Sequence, residues 1–252
     1  MKKILLYLMI PMSMHAQMEY ANWPVMDVGE FSELLSKTNK KIAESDFSAR
    51  MNYQLFGDQT SNVPLDQDAG YFKKMKDQYM TYSMDILTLQ TGKLKLIVDS
   101  ANKLILVKDA DKYLSLLPNE EEIRKCISAN AVIRSKSSGN STSIFIETNP
   151  QSAFASYLLV INKSGFIESL AIFYHHDPFG YDDDNSYFVT SANHEKKEML
   201  PVLKINFQDY KFYSPNESAD EFEAHNYVLE NNQGRLLSRG TSAFEVKDMR
   251  IP

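Results

Sequence analysis

The sequence is poor in cysteine, glycine and proline, the residues that characterise disulfide-rich and fibrous proteins. Its 252 residues include one cysteine, so no internal disulfide forms. Nine glycines and nine prolines are too few for a fibrous or low-complexity chain, and no stretch approaches the roughly 18 apolar residues of a membrane span. Basic residues are outnumbered, and the formal charge of −6 argues against nucleic acid as a partner. We therefore expect neither nucleic-acid binding nor stable membrane insertion.

The sequence also lacks the motifs of common enzyme classes. It contains no G-x-S-x-G nucleophile elbow and no phosphate-binding G-x-x-x-x-G-K loop. The lone Cys126 lies beside Ile127 in a predicted apolar helix stripe, which favours a buried hydrophobic residue over a reactive thiolate. We therefore predict a non-catalytic protein without a cofactor.

The residues that are present indicate one globular domain. Apolar residues make up 43% of the chain and aromatic residues 12%, enough for a large core. No internal repeat is visible, and no linker is rich enough in proline or glycine to divide the chain. We expect a single domain over residues 17–252.

The N-terminus has the pattern of a secretory signal peptide. Two lysines precede an apolar run from Ile4 to Met12, and Ala16 is a small residue at a plausible cleavage point. Cys126 is too far from this point to be the acylated cysteine of a lipoprotein. The sequence therefore predicts a signal peptide over 1–16 and a mature protein in a Gram-negative periplasm.

Periodicity predicts the first elements. Asp27-Val28-Gly29-Glu30 has the spacing of a capping box, and apolar residues then recur at helical spacing over roughly 28–44. From Phe47 to Leu55 the odd positions are apolar and the even positions are polar. This alternation predicts a strand with one face on a core.

Short strands with intervening turn residues follow, which predicts an antiparallel meander. The predicted strands are 70–76, 79–89, 93–99, 103–109, 143–148, 157–162, 166–175, 201–208 and 243–250. Further helices are expected from Asn119, where Glu120, Glu121 and Glu122 suit a first turn, and over 217–230. The predicted fold class is α+β: a large curved antiparallel β-sheet covered by a few α-helices.

Several segments carry a resemblance to a known family. They are the start of the first strand at 44–50, the paired strands around 70–80, the strands at 96–107, the late strand at 203–207 and the ending at 244–250. Together with the signal peptide and the first helix, they resemble the LolA/LolB-like periplasmic lipoprotein carriers. The resemblance implies a half-barrel that shelters acyl chains on its concave face beneath helical lids.

One position departs from the family. The best-known member has a strand arginine that helps to hold the lid shut, and matching its strand to this one puts Met75 there, between Lys74 and Lys76. The departure argues against a latched lid and against energy-coupled lipoprotein transfer.

Methionine and tyrosine are the candidate ligand contacts. Thioethers adapt to irregular apolar shapes, as a surface for acyl chains requires, although ordinary core packing explains the same pattern. Over 79–89 the apolar residues alternate with polar ones, which puts them on one face of a strand. The predicted ligand-binding residues are Met51, Tyr53, Met80, Tyr82, Met84 and Ile86.

Two polar segments are candidate metal sites. On a strand, His175 pairs with Asp177, and Asp182, Asp183 and Asp184 offer oxygen ligands to a cation. The spaced pattern of a calcium loop is missing, which favours a solvated acidic loop. The segment 194–198 has one histidine where a zinc-protease helix has two. We therefore predict no metal site.

The early strands also carry basic residues. In a lipid carrier these cations meet a headgroup at the cavity mouth, and otherwise they protect a sheet edge from pairing. The residues are Arg50, Lys73, Lys74 and Lys76.

Two functions from different classes follow. The first is a periplasmic carrier or binding protein that holds a lipid, acylated or other apolar ligand in the half-barrel cavity. The second is a structural or adaptor subunit of a cell-envelope assembly, with a protein partner and the same fold as a scaffold. A hydrolase using His175 and Asp177 is a third interpretation.

Overall fold

The structure, a computed structural model, describes residues 20–111, 132–148, 154–174, 200–214, 217–230, 236–239 and 244–250. The first elements are helix α1 (Val28–Glu44) and strands β1 (Phe47–Phe56), β2 (Asp66–Met75), β3 (Gln78–Ser83), β4 (Ile86–Thr91), β5 (Leu94–Asp99) and β6 (Leu104–Asp109). The later strands are β7 (Ile133–Ser138), β8 (Ser141–Glu147), β9 (Phe154–Asn162), β10 (Ile167–Tyr174), β11 (Val202–Phe212), β12 (Val228–Glu230), β13 (Leu236–Ser238) and β14 (Glu245–Asp248).

Twelve of the described strands form one curved, unclosed sheet. Strands β1–β6 make one meander and β7–β11 another, and the two join where β1 pairs with β11. All neighbours are antiparallel except β14, which lies parallel to β6 at the edge. The predicted α+β half-barrel is confirmed.

Helix α1 begins where the sequence predicts because Asp27 caps it. The Asp27 carboxylate accepts a hydrogen bond from the Gly29 amide at 2.7 Å, which satisfies one of the unpaired donors of the first turn. No helix in the described part has the length and apolar character needed to cross a bilayer. The residues that α1 buries are Phe31, Leu35, Thr38 and Ile42.

Strand register decides which side chains share a face of the sheet. Residues paired across antiparallel strands lie on the same face, and neighbours along a strand lie on opposite faces. Phe47, which packs with α1, pairs with Lys74, and Lys74 pairs with Tyr79. We call the face that carries these residues the inner face and the opposite one the outer face.

The inner face of β1, β2 and β7–β11 packs against α1. Phe47 is fully buried, and its ring contacts those of Phe72, Phe166 and Tyr210 at centroid distances of 5.4, 5.3 and 5.6 Å. Side chains therefore fill this part of the inner face. Other buried members of this core are Ala49, Met51, Ile133, Ile144, Ile146, Leu159, Ile161 and Phe207.

Two further segments cover flanks of the outer face. Over β3–β6, Phe222 and its C-terminal neighbours pack on a core that includes Leu96. Over β8–β10, Tyr20 and Trp23 pack on a smaller core, and the Tyr20 ring stacks on Phe145 at 4.4 Å. The main apolar side of the sheet therefore changes from the inner face to the outer face between β1 and β3.

The predicted single strand over 79–89 is wrong, because β3 and β4 are separate strands. Met84 and Asp85 form the turn between them, with φ angles of 50° and 60°. Two-residue hairpin turns need this conformation, and Asn-Gly usually supplies it. Here the Asp68 carboxylate accepts a hydrogen bond from the Met84 amide at 2.5 Å, and Asp85 accepts one from the Tyr82 hydroxyl at 3.2 Å. The other predicted strands are confirmed to within a few residues.

The predicted helix over 217–230 is also wrong. Two 3₁₀ turns, Asp220–Phe222 and Ala224–Asn226, lead instead into β12, which pairs with β13. Phe222 is fully buried in the core over β3–β6. The Tyr-Val-Leu run at 227–229 favours a strand. Burial and strand pairing thus outweigh the helical preference of the glutamates.

Other predictions fall outside the described residues. They concern the signal peptide over 1–16, the helix predicted from Asn119, and the segments with Cys126, with His175 and Asp177 through Asp184, and with His194. The single domain over 17–252 stays a prediction as well.

Tyr210 gives a prediction about alkaline stability. Its hydroxyl donates to the Ile167 carbonyl at 2.5 Å, and burial, aided by the charge of Glu168, raises the pKa of Tyr210 above its usual 10.0. Below a pH of 10.0, the usual pKa of tyrosine, both the folded and the unfolded chain keep the proton. Above this pH the unfolded chain loses the proton first, so the free energy of unfolding falls as the pH rises.

We expect Tyr210→Phe to lower the free energy of unfolding by about 1 kcal/mol at neutral pH, since one hydrogen bond is lost. Above a pH of about 10 the variant should lose stability less steeply than the natural chain. Urea unfolding at neutral pH and at about pH 11 measures both effects. Parallel declines in the two proteins would contradict the assignment.

Candidate functional site

The structure divides the six predicted ligand-binding residues among three places. Met51 and Tyr53 lie on the inner face of β1, where the Tyr53 hydroxyl donates to the Met51 sulfur at 3.4 Å. Met80 pairs with Lys73, whose partner on β1 is Ser48, so Met80 lies on the outer face, and so does Tyr82. The remaining two, Met84 and Ile86, lie in and after the β3–β4 turn and are 58% and 40% exposed.

Two of these residues are core residues. Met51 belongs to the core under α1, and Met80 belongs to the core under the C-terminal segment. Both are buried, which favours packing, the alternative interpretation of the methionine pattern. Burial raises the pKa of the Tyr53 hydroxyl, despite a hydrogen bond with Ser83 that lowers it, so Tyr53 is neutral at physiological pH.

Beyond α1 the inner face continues as a half-buried aliphatic surface on β4–β6. Thr88 pairs with Ile97, and Ile97 pairs with Leu106, while in the next row Ile86 and Leu104 both pair with Asp99, which lies between them. We call Ile86, Thr88, Ile97, Leu104 and Leu106 the inner strip. Ile86 is 40% exposed and the others are half-buried. The strip is an apolar surface that adjoins the helix-covered core.

Polar residues close one end of the inner strip. The Gln90 carboxamide donates to the Asp111 carbonyl at 3.1 Å and accepts from the Asp111 amide at 2.9 Å. The Lys95 ammonium contacts the Asp111 carboxylate at 2.5 Å. Although burial opposes it, this hydrogen bond raises the pKa of Lys95, which stays charged. Lys108 lies on the same face, paired with Lys95, so this end of the strip is cationic.

Lys74 ties the C-terminal end of α1 to the sheet. Its buried ammonium donates to the Ser45 carbonyl at 3.1 Å and lies 3.8 Å from the Asp46 carboxylate. Burial lowers the pKa of Lys74, and the charge of Asp46 opposes this. Met75, at the position where the family resemblance implied a latch, lies on the outer face in the C-terminal core. The strand residue that contacts the end of the helix is therefore Lys74.

The structure does not gather the predicted headgroup-binding cations at one place. The Arg50 guanidinium lies 2.9 Å from Asp209, and the Lys73 ammonium lies 2.6 Å from Glu221. Both pairs are on the side opposite to the inner strip. The four cations divide into Arg50 and Lys73 on the outer face, Lys74 on the inner face and Lys76 in the β2–β3 turn.

The outer face has a polar depression of about 500 Å³ between its two covered flanks. We call it the outer trough. Its floor is the middle of β1, β2 and β11, where register puts the even-numbered residues of β1 and their partners on the outer face. The lining residues are Asn52, Gln54, Gln67, Ala69, Asn206 and Gln208, together with Tyr53 and Asp68, which register assigns to the inner face.

A β-bulge orders one end of the outer trough. The β1–β11 register shifts between Ser48 and Arg50, and Asp209 has a φ of 53°. The Gln208 carboxamide oxygen accepts hydrogen bonds from Arg50 at 3.1 Å and from Asn52 at 3.2 Å. The bulge therefore turns a row of polar side chains into a connected group.

The metal predictions concern segments that the structure does not describe. They involve His175, Asp177 and Asp182–Asp184. Within the described ranges, no three histidine, cysteine, aspartate or glutamate side chains come together as a metal site.

Sequence reasoning found Ile86 but no other residue of the inner strip, and it missed the outer trough. Ile97 and Leu106 belong to strands whose apolar residues are on both faces, so alternation gave no signal for the exposed side. The carboxamides of the trough stand at alternate positions of β1, beginning with Asn52 and Gln54, and that spacing was a usable signal. Their partners on β2 and β11 follow from pairing, which periodicity does not reveal.

Comparison with solved structures gives several matches of low sequence identity. A chain in the complex structure of Pseudomonas aeruginosa MucA/MucB matches with a TM-score of 0.44 and 9% identity, over 77% of this chain and 60% of that one. A LolA superfamily protein from Nitrosomonas europaea matches with a TM-score of 0.33 and 10% identity, over 77% and 97%. The lipoprotein LppX from Mycobacterium tuberculosis matches with a TM-score of 0.33 and 8% identity, over 76% and 99%.

The LolA superfamily, to which the sequence resemblance points, is thus among the similar folds. The chain spans about three fifths of the matched chain in the MucA/MucB complex. No family model matches this sequence, and no curated protein matches it.

Proposed function

We propose that the protein is a non-catalytic carrier or binding protein that holds the apolar part of a lipid or an acylated ligand against the inner strip. The observation that carries the proposal is the position of this strip. It continues the face that α1 covers, yet its aliphatic side chains are only half-buried. A ligand that covers Ile97 and Leu106 would complete the burial of this face.

The chemistry of the strip fits an acyl chain with an anionic headgroup. Each buried methylene contributes about 0.8 kcal/mol, so an alkyl chain along several strands gains enough for stable binding. Lys95 and Lys108 lie on the inner face one row beyond Ile97 and Leu106. Lys95 is already paired with Asp111, so Lys108 is the cation suited to meet a carboxylate or phosphate headgroup.

The proposal extends to maturation and compartment. The signal peptide over 1–16 is removed after Ala16, and residues 17–252 act as one domain in the periplasm. Of the predicted ligand-binding residues, Ile86 belongs to the inner strip and Met84 lies beside it in the β3–β4 turn. In this proposal Met51, Tyr53 and Met80 support the two cores beside it, and Tyr82 stacks on Tyr71.

Native mass spectrometry of the full mature chain, purified from the periplasm without detergent, tests the proposal. We expect a bound mass that solvent extraction identifies as a lipid or an acylated molecule. Leu106→Asp should lower the affinity for palmitate at least about tenfold, because it brings a carboxylate against the alkyl chain.

Leu229→Asp is the matched control. Leu229 is 46% exposed on β12, outside the inner strip, so this variant should bind palmitate as the natural chain does. Thermal unfolding shows that both variants are folded. A clean apo mass together with no palmitate binding would overturn the carrier proposal.

An adaptor subunit of a cell-envelope assembly is the alternative, and one observation favours it. Val63, Leu65 and Met84 are 73%, 42% and 58% exposed in the β1–β2 and β3–β4 connections, at the same end of the sheet. An exposed apolar group of this kind suits a protein partner. Crosslinking from Met84 in intact cells should then capture a defined partner, whereas crosslinking from Phe212, exposed at the opposite end, should not.

A further inference from the structure

The outer trough is independent of the proposed lipid surface, because it lies on the other face of the sheet. We infer that it is a second binding site, for a neutral, hydroxyl-rich ligand such as a short carbohydrate chain. Three features of the trough support this: its carboxamide lining, its low charge and the aromatic rings beside it.

Carboxamides dominate the lining. Five of the eight lining residues are asparagine or glutamine. The side chains of Gln54, Gln67 and Asn206 make no hydrogen bond to another described residue. Asn52 and Gln208 are hydrogen-bonded to each other. Each carboxamide offers a donor and an acceptor on adjacent atoms, which matches the paired hydroxyl groups of a sugar ring.

The charge of the trough argues against an ionic ligand. Asp68 is the charged residue among the eight that line it. Of the cations beside the trough, Arg50 is paired with Asp209 at 2.9 Å, and Lys204, the β11 partner of Gln54, has its ammonium over the Phe56 ring at 4.5 Å. A site for a phosphate or a carboxylate would instead present uncompensated cations. The trough therefore suits a ligand that is polar but uncharged.

Aromatic rings stand beside the trough on the same face. Tyr71 pairs with Arg50 across β1–β2 and with Tyr82 across β2–β3, and the two tyrosine rings stack at 5.7 Å with an interplanar angle of 22°. Tyrosine combines an apolar ring with a polar hydroxyl, which suits contact with both the C–H and O–H groups of a sugar. Tyr82, predicted as an acyl contact, thus neighbours a polar site.

The test is a nuclear magnetic resonance titration of the isotope-labelled mature chain. The neutral probes are maltotriose, chitotriose and mannotriose, and the anionic probe is trigalacturonate. We expect at least one neutral probe to give saturable shifts of the Asn52, Gln54 and Asn206 side-chain amides. No shift with any neutral probe, or binding of trigalacturonate alone, would overturn the inference.

Two variants locate the binding. Gln54→Ala with Asn206→Ala should weaken the bound probe at least about tenfold, since two pairs of hydrogen bonds are lost. Ala69→Leu keeps every carboxamide but fills the exposed floor, and it should also weaken binding. Gln59→Ala with Asn102→Ala removes the same residue types outside the trough and should leave the affinity unchanged. Equal affinity in all variants would mean that the probe binds elsewhere.

Discussion

Replacing Phe47 with alanine is expected to lower the free energy of unfolding by about 3–5 kcal/mol, the usual cost of removing a buried phenylalanine. Phe47 has 0% exposure at the start of β1, under α1. Its ring contacts Phe72 on β2, Phe166 before β10 and Tyr210 on β11, so its loss leaves a cavity that several elements share. Denaturant unfolding followed by tryptophan fluorescence or circular dichroism measures the change.

Phe212→Ala provides the comparison for Phe47. Phe212 belongs to the same aromatic group and pairs with Phe47, but it is 55% exposed. Its removal should cost about 1 kcal/mol, because the loss is limited to ring contacts at the surface. If the two variants lost the same stability, the assignment of Phe47 to the centre of the core would be wrong.

Gly70→Ala should lower the free energy of unfolding by about 3 kcal/mol, near the upper end of the range for overpacking. A Cβ added at Gly70 would lie 2.1 Å from the Tyr82 carbonyl oxygen and 3.1 Å from the Ser83 Cβ. The first of these atoms belongs to the backbone of β3, which cannot rotate away. Strands β2 and β3 would have to separate beside the β3–β4 turn.

Gly92→Ala separates this steric effect from the general cost of replacing a glycine. Gly92 has a φ of 55° but no heavy atom within 4 Å of an added Cβ. It should therefore cost about 1–2 kcal/mol, from left-handed backbone strain alone. Thermal unfolding of the two variants gives the comparison, and an equal loss would show that Gly70 has room for a methyl group.

Local patterns in the sequence predicted α1 and β1 because each element depends on its own residues. Asp27 caps the helix, and the alternation from Phe47 to Leu55 gives the face that packs on α1. The turn at Met84-Asp85 was missed because a residue on another strand stabilises it. The Asp68 carboxylate that holds the Met84 amide is 16 residues away in the chain. No local turn signal reports such a contact.

The candidate ligand residues show the same limit. Alternation correctly separates the two faces of β3, and Met80 and Tyr82 do share a face. Which face this is depends on the pairing through β2. That pairing puts Met80 and Tyr82 on the outer face, whereas Met51 is on the inner face. The apolar side changes between β1 and β3, so a rule that assigns all alternating apolar residues to one interior fails for this sheet.

The parallel pairing of β14 with β6 has a consequence for how the chain folds as it is made. The main-chain groups along the outside of β6 gain their partners only when residues 245–248 arrive, well over a hundred residues after β6 itself has been synthesised. Until then β6 is an open edge that can recruit a strand from another molecule. A chain cut before Glu245 keeps that edge permanently, so C-terminal proteolysis should promote self-association through β6.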